Sequence, residues 1–453
     1  MDQITETEQK TGMPKIKYLM ILLAILLLFA ILLPLFNSEG LRGNDASQTP
    51  FADDTQGIVC EYEYCDENNG DSDAMGAEIR RFDFCTSLTE LDLIGLNLQN
   101  EELAFLADMI YLEKLTLGDW GVIDITPLSG LTNLTHLYLV STSVSDLTPL
   151  SGLTNLVELR VQGAVDDLTP LANLTNLTSF EIEPNTFEGG PRLDITPLSN
   201  LTNLTRLSIV GVEGDITALA NLTNLISLNI AGGSSDITPI SELTNLTNLR
   251  LANNQVQDII PLKGLTNLTN LELLVWDVSD VTPLANLTNL TSLFLYGNEI
   301  NDFSPIANLS NLTQLMLYNY EITDISLLAN LTNLQWFELG DDWNRRHSVS
   351  DITPLSGLTN LRHLNLSGGQ IVDIKPLERL ENLVTLELDS NQIIDLTPLS
   401  GLKSLEELGL RDNDISDLTP LSGLTNLRRL DLWRNPVVDW SPVEHVENVW
   451  GRN

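Results

Sequence analysis

The stretch Asp124–Leu139 reads DITPLSGLTNLTHLYL, and the chain then writes it again. DLTPLSGLTNLVELRV begins at Asp146 and DLTPLANLTNLTSFEI at Asp167. The Asp that opens the phrase recurs at positions 124, 146, 167, 194, 215, 236, 258, 280, 302, 324, 351, 373, 395, 417 and 439. Successive gaps are 21 or 22 residues, and 27 twice. The whole unit spells LxxLxxLxLxx(N)x(I/V)xD(I/L)TPLxxLTN. With an earlier copy at Leu88–Leu98, LTELDLIGLNL, it makes sixteen repeats.

Each letter has a physical reading. In L-x-L two leucines point one way and the residue between them the other, which is the period of a β-strand. Leu137 and Leu139 are expected to face inward, with Tyr138 outward. One strand per repeat predicts a parallel sheet of sixteen strands, from Leu91/Leu93 to Leu430/Leu432. At about 4.8 Å per strand it would run for about 70 Å. After the strand the chain must return. Thr or Ser stands before the Pro position in every unit except at Ile260 and Lys375, and Pro follows in every unit except at Ala218 and Leu327. A hydroxyl N-cap with Pro at the first helical position starts a short helical or 3-10 turn. The Asn of LTNL is expected to satisfy backbone groups of the turn, and the Asp file to cap it rather than to bind metal.

The fold class expected is therefore an α/β leucine-rich-repeat solenoid, with a parallel β-sheet on the concave face and short 3-10 or helical turns on the convex face. Such an array escapes the size limit of a single core, because each unit packs only on its neighbours. The stretch LTNLTSLFLYGNEINDFSPIANLSNL, Leu287–Leu312, resembles the internalin and SDS22-like class of leucine-rich repeats, and the resemblance spans Leu88 to Val443. It implies a binding protein and names no partner. Asn at the post-strand position, which in that class bonds to neighbouring backbone, is kept at Asn254, Asn298, Asn391, Asn413 and Asn435. Thr142, Trp276, Tyr320 and Gly369 replace it elsewhere. These residues hold no immunoglobulin-like region and no LPxTG sorting signal.

An N-terminal anchor is expected in their place. YLMILLAILLLFAILLPLF, residues 18–36, has no charge and follows Lys10, Lys15 and Lys17. Its length suits one membrane crossing, and the positive flank puts the N-terminus in the cytoplasm. The expected layout is a cytoplasmic tail (1–17), a transmembrane signal-anchor (18–36), an acidic tether with cysteines (37–75), an N-terminal cap (76–87), the repeats (88–443) and a C-terminal tail (444–453). The repeat domain is then extracytoplasmic on the cell membrane, or secreted if the segment is a cleaved signal. Cys60, Cys65 and Cys85 precede the repeats, which suits one disulfide with one thiol over. The pairing is open, and a zinc site lacks a fourth ligand.

Lys and Arg number 23 against 62 Asp and Glu, a net charge of -39. Such a surface repels phosphate backbones and argues against nucleic acid. No nucleophile-and-base spacing, phosphate loop or HExxH motif occurs, so no catalysis, cofactor or metal is expected. Fourteen N-L-T/S sequons, among them Asn133, Asn173 and Asn203, follow from the repeat itself.

Candidate binding residues lie on the sheet face. Phe294 and Met316 stand between strand leucines, and Tyr296 and Tyr318 follow the second one. All four, with Trp336, are expected to form an exposed aromatic patch. The insertion at residues 341–350 adds Trp343, Arg345, Arg346 and His347 as a basic and aromatic loop. The partner expected is a protein or a cell-envelope polymer. The rival readings are a structural or adhesion component without a discrete site, and a regulatory subunit of a partner enzyme.

Overall fold

The computed structural model describes residues 86–453, except 97, 185–192, 234, 253–255, 276–277, 297–299, 301, 319–321, 341–346 and 453. The anchor at 18–36 and the three cysteines lie outside the described residues. Among the described residues no helix is long and apolar enough to cross a membrane.

Seventeen strands of the described residues form one parallel sheet, from β1 (Glu90–Leu93) to β17 (Asn448–Trp450), each paired with the next in the chain. The register follows the repeat: Leu115 pairs with Leu137, and Leu137 with Leu159. These leucines are fully buried. Their inward side meets the leucines of the LTNL segments, such as Leu131 and Leu134, in one continuous core. Phe180 and Phe337 replace the first strand leucine and are as buried as the residue they replace.

The seventeenth strand lies in the stretch read as a tail. A last 3-10 turn, Ser441–Val443, feeds β17, where Val449 pairs with Leu430. N-V-W-G has Val449 and Gly451 where the other repeats have the two strand leucines, which hides the strand from the repeat pattern.

The turns are 3-10, and of the two caps expected, the hydroxyl and the Asp, only the Asp is one. The hydroxyl residue is the first residue inside the turn and Pro the second, as in Thr126–Leu128. The N-cap is an apolar residue, Ile125 in that turn, with no side-chain cap bond. The cap is supplied by the Asp one residue earlier. Asp124 Oδ1 accepts the Thr126 N–H at 2.8 Å, and Asp280 does the same for Thr282 at 2.8 Å. Across the fifteen repeats the bond is made every time, down to Asp439 and Ser441 at 2.9 Å. Hydrogen bonds from Thr282, side chain first and then backbone, hold the Asp280 carboxyl below the usual range. The aspartates are turn caps, as their regular spacing implies.

The LTNL asparagines join one repeat to the one before. Asn155 Nδ2 donates to Thr132 O at 2.9 Å and Asn176 Nδ2 to Thr154 O at 2.9 Å. The turn group being satisfied thus belongs to the previous repeat. The post-strand ladder is deeper. Asn413 donates to Leu388 O and Leu410 O, each at 3.0 Å, and accepts the Ile393 N–H at 3.0 Å. The residue before each such Asn is left-handed: Ser390, Asp412 and Arg434 have φ of 54°, 54° and 62°.

Candidate functional site

Parallel register lines the outward residues into columns. The central column runs Arg250, Glu272, Phe294, Met316, Glu338 and Asn365 over strands β8 (Asn248–Ala252), β9 (Asn270–Leu274), β10 (Ser292–Tyr296), β11 (Gln314–Tyr318), β12 (Trp336–Leu339) and β13 (His363–Asn365). Two residues further along, Leu274, Tyr296 and Tyr318 are neighbours. The sequence-derived patch is therefore one belt, with Trp336 at its side in the column of His363.

Its exposure is not as expected. Phe294 and Met316 face outward but are 5% and 8% exposed, so they are buried, not presented to solvent. The aromatic rings close on one another. Phe294 meets Tyr318 edge-on at 5.3 Å between centroids, and Tyr296 meets Tyr318 at 5.6 Å. Edge and offset contacts of this kind favour aromatic pairs beyond area alone. Tyr296, Tyr318 and Trp336 are half-buried and form the accessible part of the belt.

Glu338 ties the belt to the next repeats. It accepts the Tyr318 hydroxyl and the Trp336 indole N–H, the latter at 2.7 Å. Nε2 of His363 lies 3.1 Å from its Oε1. Burial alone would raise the Glu338 carboxyl, but its contacts with His363, Tyr318 and Trp336 outweigh that and hold it below the usual range. Trp336 stacks on His363 at 3.8 Å and 19°. On the other flank Arg250 Nε lies 2.6 Å from Glu272 Oε2. Glu272 is buried, and burial raises its carboxyl against the pull of Arg250. A buried pair of this sort fixes geometry more surely than it adds stability.

Of the insertion, Trp343, Arg345 and Arg346 lie outside the described residues, as do Trp276 and Tyr320. His347 is described and does not join a surface loop. It is 2% exposed. Its Nδ1 accepts the Val349 N–H at 3.2 Å, so Nε2 carries the proton and donates to Leu366 O at 3.3 Å. Burial pushes its pKa down to about 4. His347 is a neutral member of the ladder, not a basic contact. It also accounts for Gly369 at an Asn position, because a Cβ there would come within 2.5 Å of His347 Cε1.

Trp433 and Trp450, which no aromatic cluster in the sequence marks, are 47% and 50% exposed at the last two strands. Among the described residues no group of His, Cys, Asp and Glu could hold a metal ion.

The fold matches known proteins. The family model for Leucine Rich repeats (2 copies) matches residues 288–330, 359–401 and 403–445. The structure of the internalin InlF from Listeria monocytogenes is 32% identical, over 74% of this chain and 89% of that one, with a TM-score of 0.55. A leucine-rich repeat protein of Leptospira interrogans superimposes with a TM-score of 0.70 at 22% identity, over 82% of this chain and 97% of that one. The ectodomain of the plant membrane receptor kinase GASSHO1 from Arabidopsis thaliana, solved in complex with Casparian strip integrity factor 2, has a TM-score of 0.51 at 20% identity. That likeness covers 80% of this chain and 53% of the ectodomain. The last two speak to fold alone. No curated protein sequence matches the chain. The chain belongs to the internalin-like class of leucine-rich repeat proteins, a class of binding and scaffold proteins.

Proposed function

We propose that this is a membrane-anchored, extracytoplasmic protein that binds a protein partner through its concave face. The observation that carries the reading is the belt of β10 to β12. Its rings are held by one another and by Glu338, so Tyr296, Tyr318 and Trp336 present a preorganised aromatic surface. Preorganised aromatic side chains lose little freedom on binding and form the usual anchors of interfaces. The anchor is inferred from the nineteen uncharged residues 18–36 and their basic flank.

The test is capture of a partner from envelope extract by the full-length chain in mild detergent, against Tyr296→Ala/Trp336→Ala. Loss of one band with the variant, at unchanged circular dichroism, supports the belt as the site. Equal capture removes the belt from the reading. Capture by neither favours the second reading, a structural or adhesion component. The burial of Phe294 and Met316 speaks for that alternative, since side chains already buried need no partner.

A further inference from the structure

The face that carries the belt also carries a longer apolar line. Two residues past the central column, the outward row runs Val210, Ala231, Ala252, Leu274, Tyr296 and Tyr318, on β6 (Arg206–Val212), β7 (Ser227–Gly232) and β8 to β11. Leu274 is buried and the other five are half-buried. Five steps at about 4.8 Å make a line about 24 Å long. In a chain of net charge -39 its surroundings carry no free charge. Of the outward positions on β7 to β11 only Arg250 and Glu272 are charged, and they pair with each other at 2.6 Å. A charged partner group brought here would lose water and meet no counter-charge, so the line suits an apolar surface.

Two arguments decide what shape that surface has. The first is hydrogen bonding. The N–H and C=O groups of these strands are used in the parallel ladder. Beside the line, the carboxamide oxygen of Asn248 already accepts the Thr247 hydroxyl at 2.7 Å, and that of Asn270 the Thr269 hydroxyl at 2.8 Å. An extended segment laid across the strands would leave its own peptide groups short of partners, whereas a helix satisfies them internally. The second is spacing. A helix offers a side chain to one face every turn, about 5.4 Å, and an extended segment every second residue, about 6.7 Å. Along the whole line the helix drifts from the strands by about 3 Å and the extended segment by about 10 Å. Only the helix keeps each anchor on one strand.

We propose that this line docks an amphipathic helix of a partner protein, about 16 residues long, which crosses the strands with one apolar side chain per turn set against each repeat. The inference rests on the reading that the concave face binds a protein.

The test places the photo-cross-linker p-benzoylphenylalanine in turn at Val210, Ala252 and Tyr296 of the full-length chain in mild detergent. Each form is mixed with envelope extract and irradiated, and mass spectrometry identifies the partner residue joined to each probe. Successive probes stand two strands apart, about 10 Å. On a helix the joined residue should shift by about 6 positions from one probe to the next and by about 13 from first to last. Shifts of about 3 and 6, those of an extended segment, would overturn the proposal. So would joined residues in no common order, cross-links into a second copy of this chain, or no cross-linked partner peptide at all. Circular dichroism checks each form, and any two that fold decide the spacing. If Tyr296→Ala/Trp336→Ala abolishes capture while the probes give extended spacing or no peptide, the belt stands as the site and the helix falls. If that variant captures as well as wild type and no probe is joined to a partner, the concave face itself fails.

Discussion

At the scale of single residues, two titrating groups bend stability in opposite directions. His347 is neutral in the fold, with its pKa pushed down to about 4 by burial. In the unfolded chain it takes up a proton below its ordinary value of 6.5. Its stabilising contacts are thus fully present above pH 6.5 and are lost as pH falls toward 4. His347→Ala orphans the Val349 N–H and opens a cavity, so it is expected to cost about 2–3 kcal/mol at pH 7.5. The gap from wild type should shrink between pH 6.5 and 4 in urea melts. Asp389 goes the other way. Burial, outweighing its bond from Arg411 N–H, pushes its carboxyl up to about 6, with Asp431 and Asp412 adding to the shift and Arg411 opposing it. The Glu387 carboxylate, which lies over Gly409, also stands close to it. Above pH 6 the fold carries a charge it disfavours, and stability rises as pH falls toward 3.8. Asp389→Asn should raise the melting temperature at pH 7.5, by an amount corresponding to about 1–2 kcal/mol after allowance for its partial exposure. The advantage should narrow below pH 6, and a constant advantage at every pH would refute the cause given.

At the scale of elements, the ladder outranks the caps. Asn391 is 8% exposed, donates to Leu366 O and Leu388 O at 3.0 Å, and accepts the Ile371 N–H at 3.1 Å. Asn391→Ala leaves buried backbone groups unpaired and is expected to cost about 2–3 kcal/mol. Asp280→Ala frees a turn group that water can reach, so its thermal shift should be clearly the smaller. Equal shifts would mean that the turns are as dry as the ladder. The strand leucines, the one-per-repeat turn and the capping Asp were legible in the sequence because each is a local, repeated signal. What was not legible depended on neighbours. Phe294 and Met316 read as exposed because alternation gives direction only, while their burial involves Tyr296 and Tyr318 across adjacent strands. His347 read as a loop residue because a 27-residue spacing moves it onto the ladder in place of Asn. The hydroxyl read as a second cap lies inside the turn, after an apolar N-cap, and leaves the capping to the Asp. Trp433 and Trp450 escaped notice because they are isolated in sequence and neighbours only through the register of β16 (Arg429–Asp431) and β17.

For the whole molecule, the net charge of -39 sets a cost that salt relieves. Fifteen aspartates stand in file, and in places one is felt by the next: Asp146 acts on Asp167, and Asp280 on Asp302. The melting temperature is expected to rise between about 20 mM and about 500 mM sodium chloride, as screening shortens the reach of like charges. A flat response would mean that the charges are spread too thinly to matter. Stability in a repeat array is a sum of neighbour contacts. Hydrogen exchange should therefore be least protected in β1 and β17, each with one neighbour among the described residues, and most protected in the middle strands.

The ladder around Leu366 has a consequence for descent. Its carbonyl receives Nε2 of His347 from one side and Nδ2 of Asn391 from the other. Elsewhere the units are near-copies, and a duplication or loss by unequal recombination would join like to like. Here a crossover that removed one unit would strand an imidazole or fill the space that Gly369 leaves open. This stretch is where the array is locked against change in length, and lineages of this protein should differ in repeat number on either side of it, not across it.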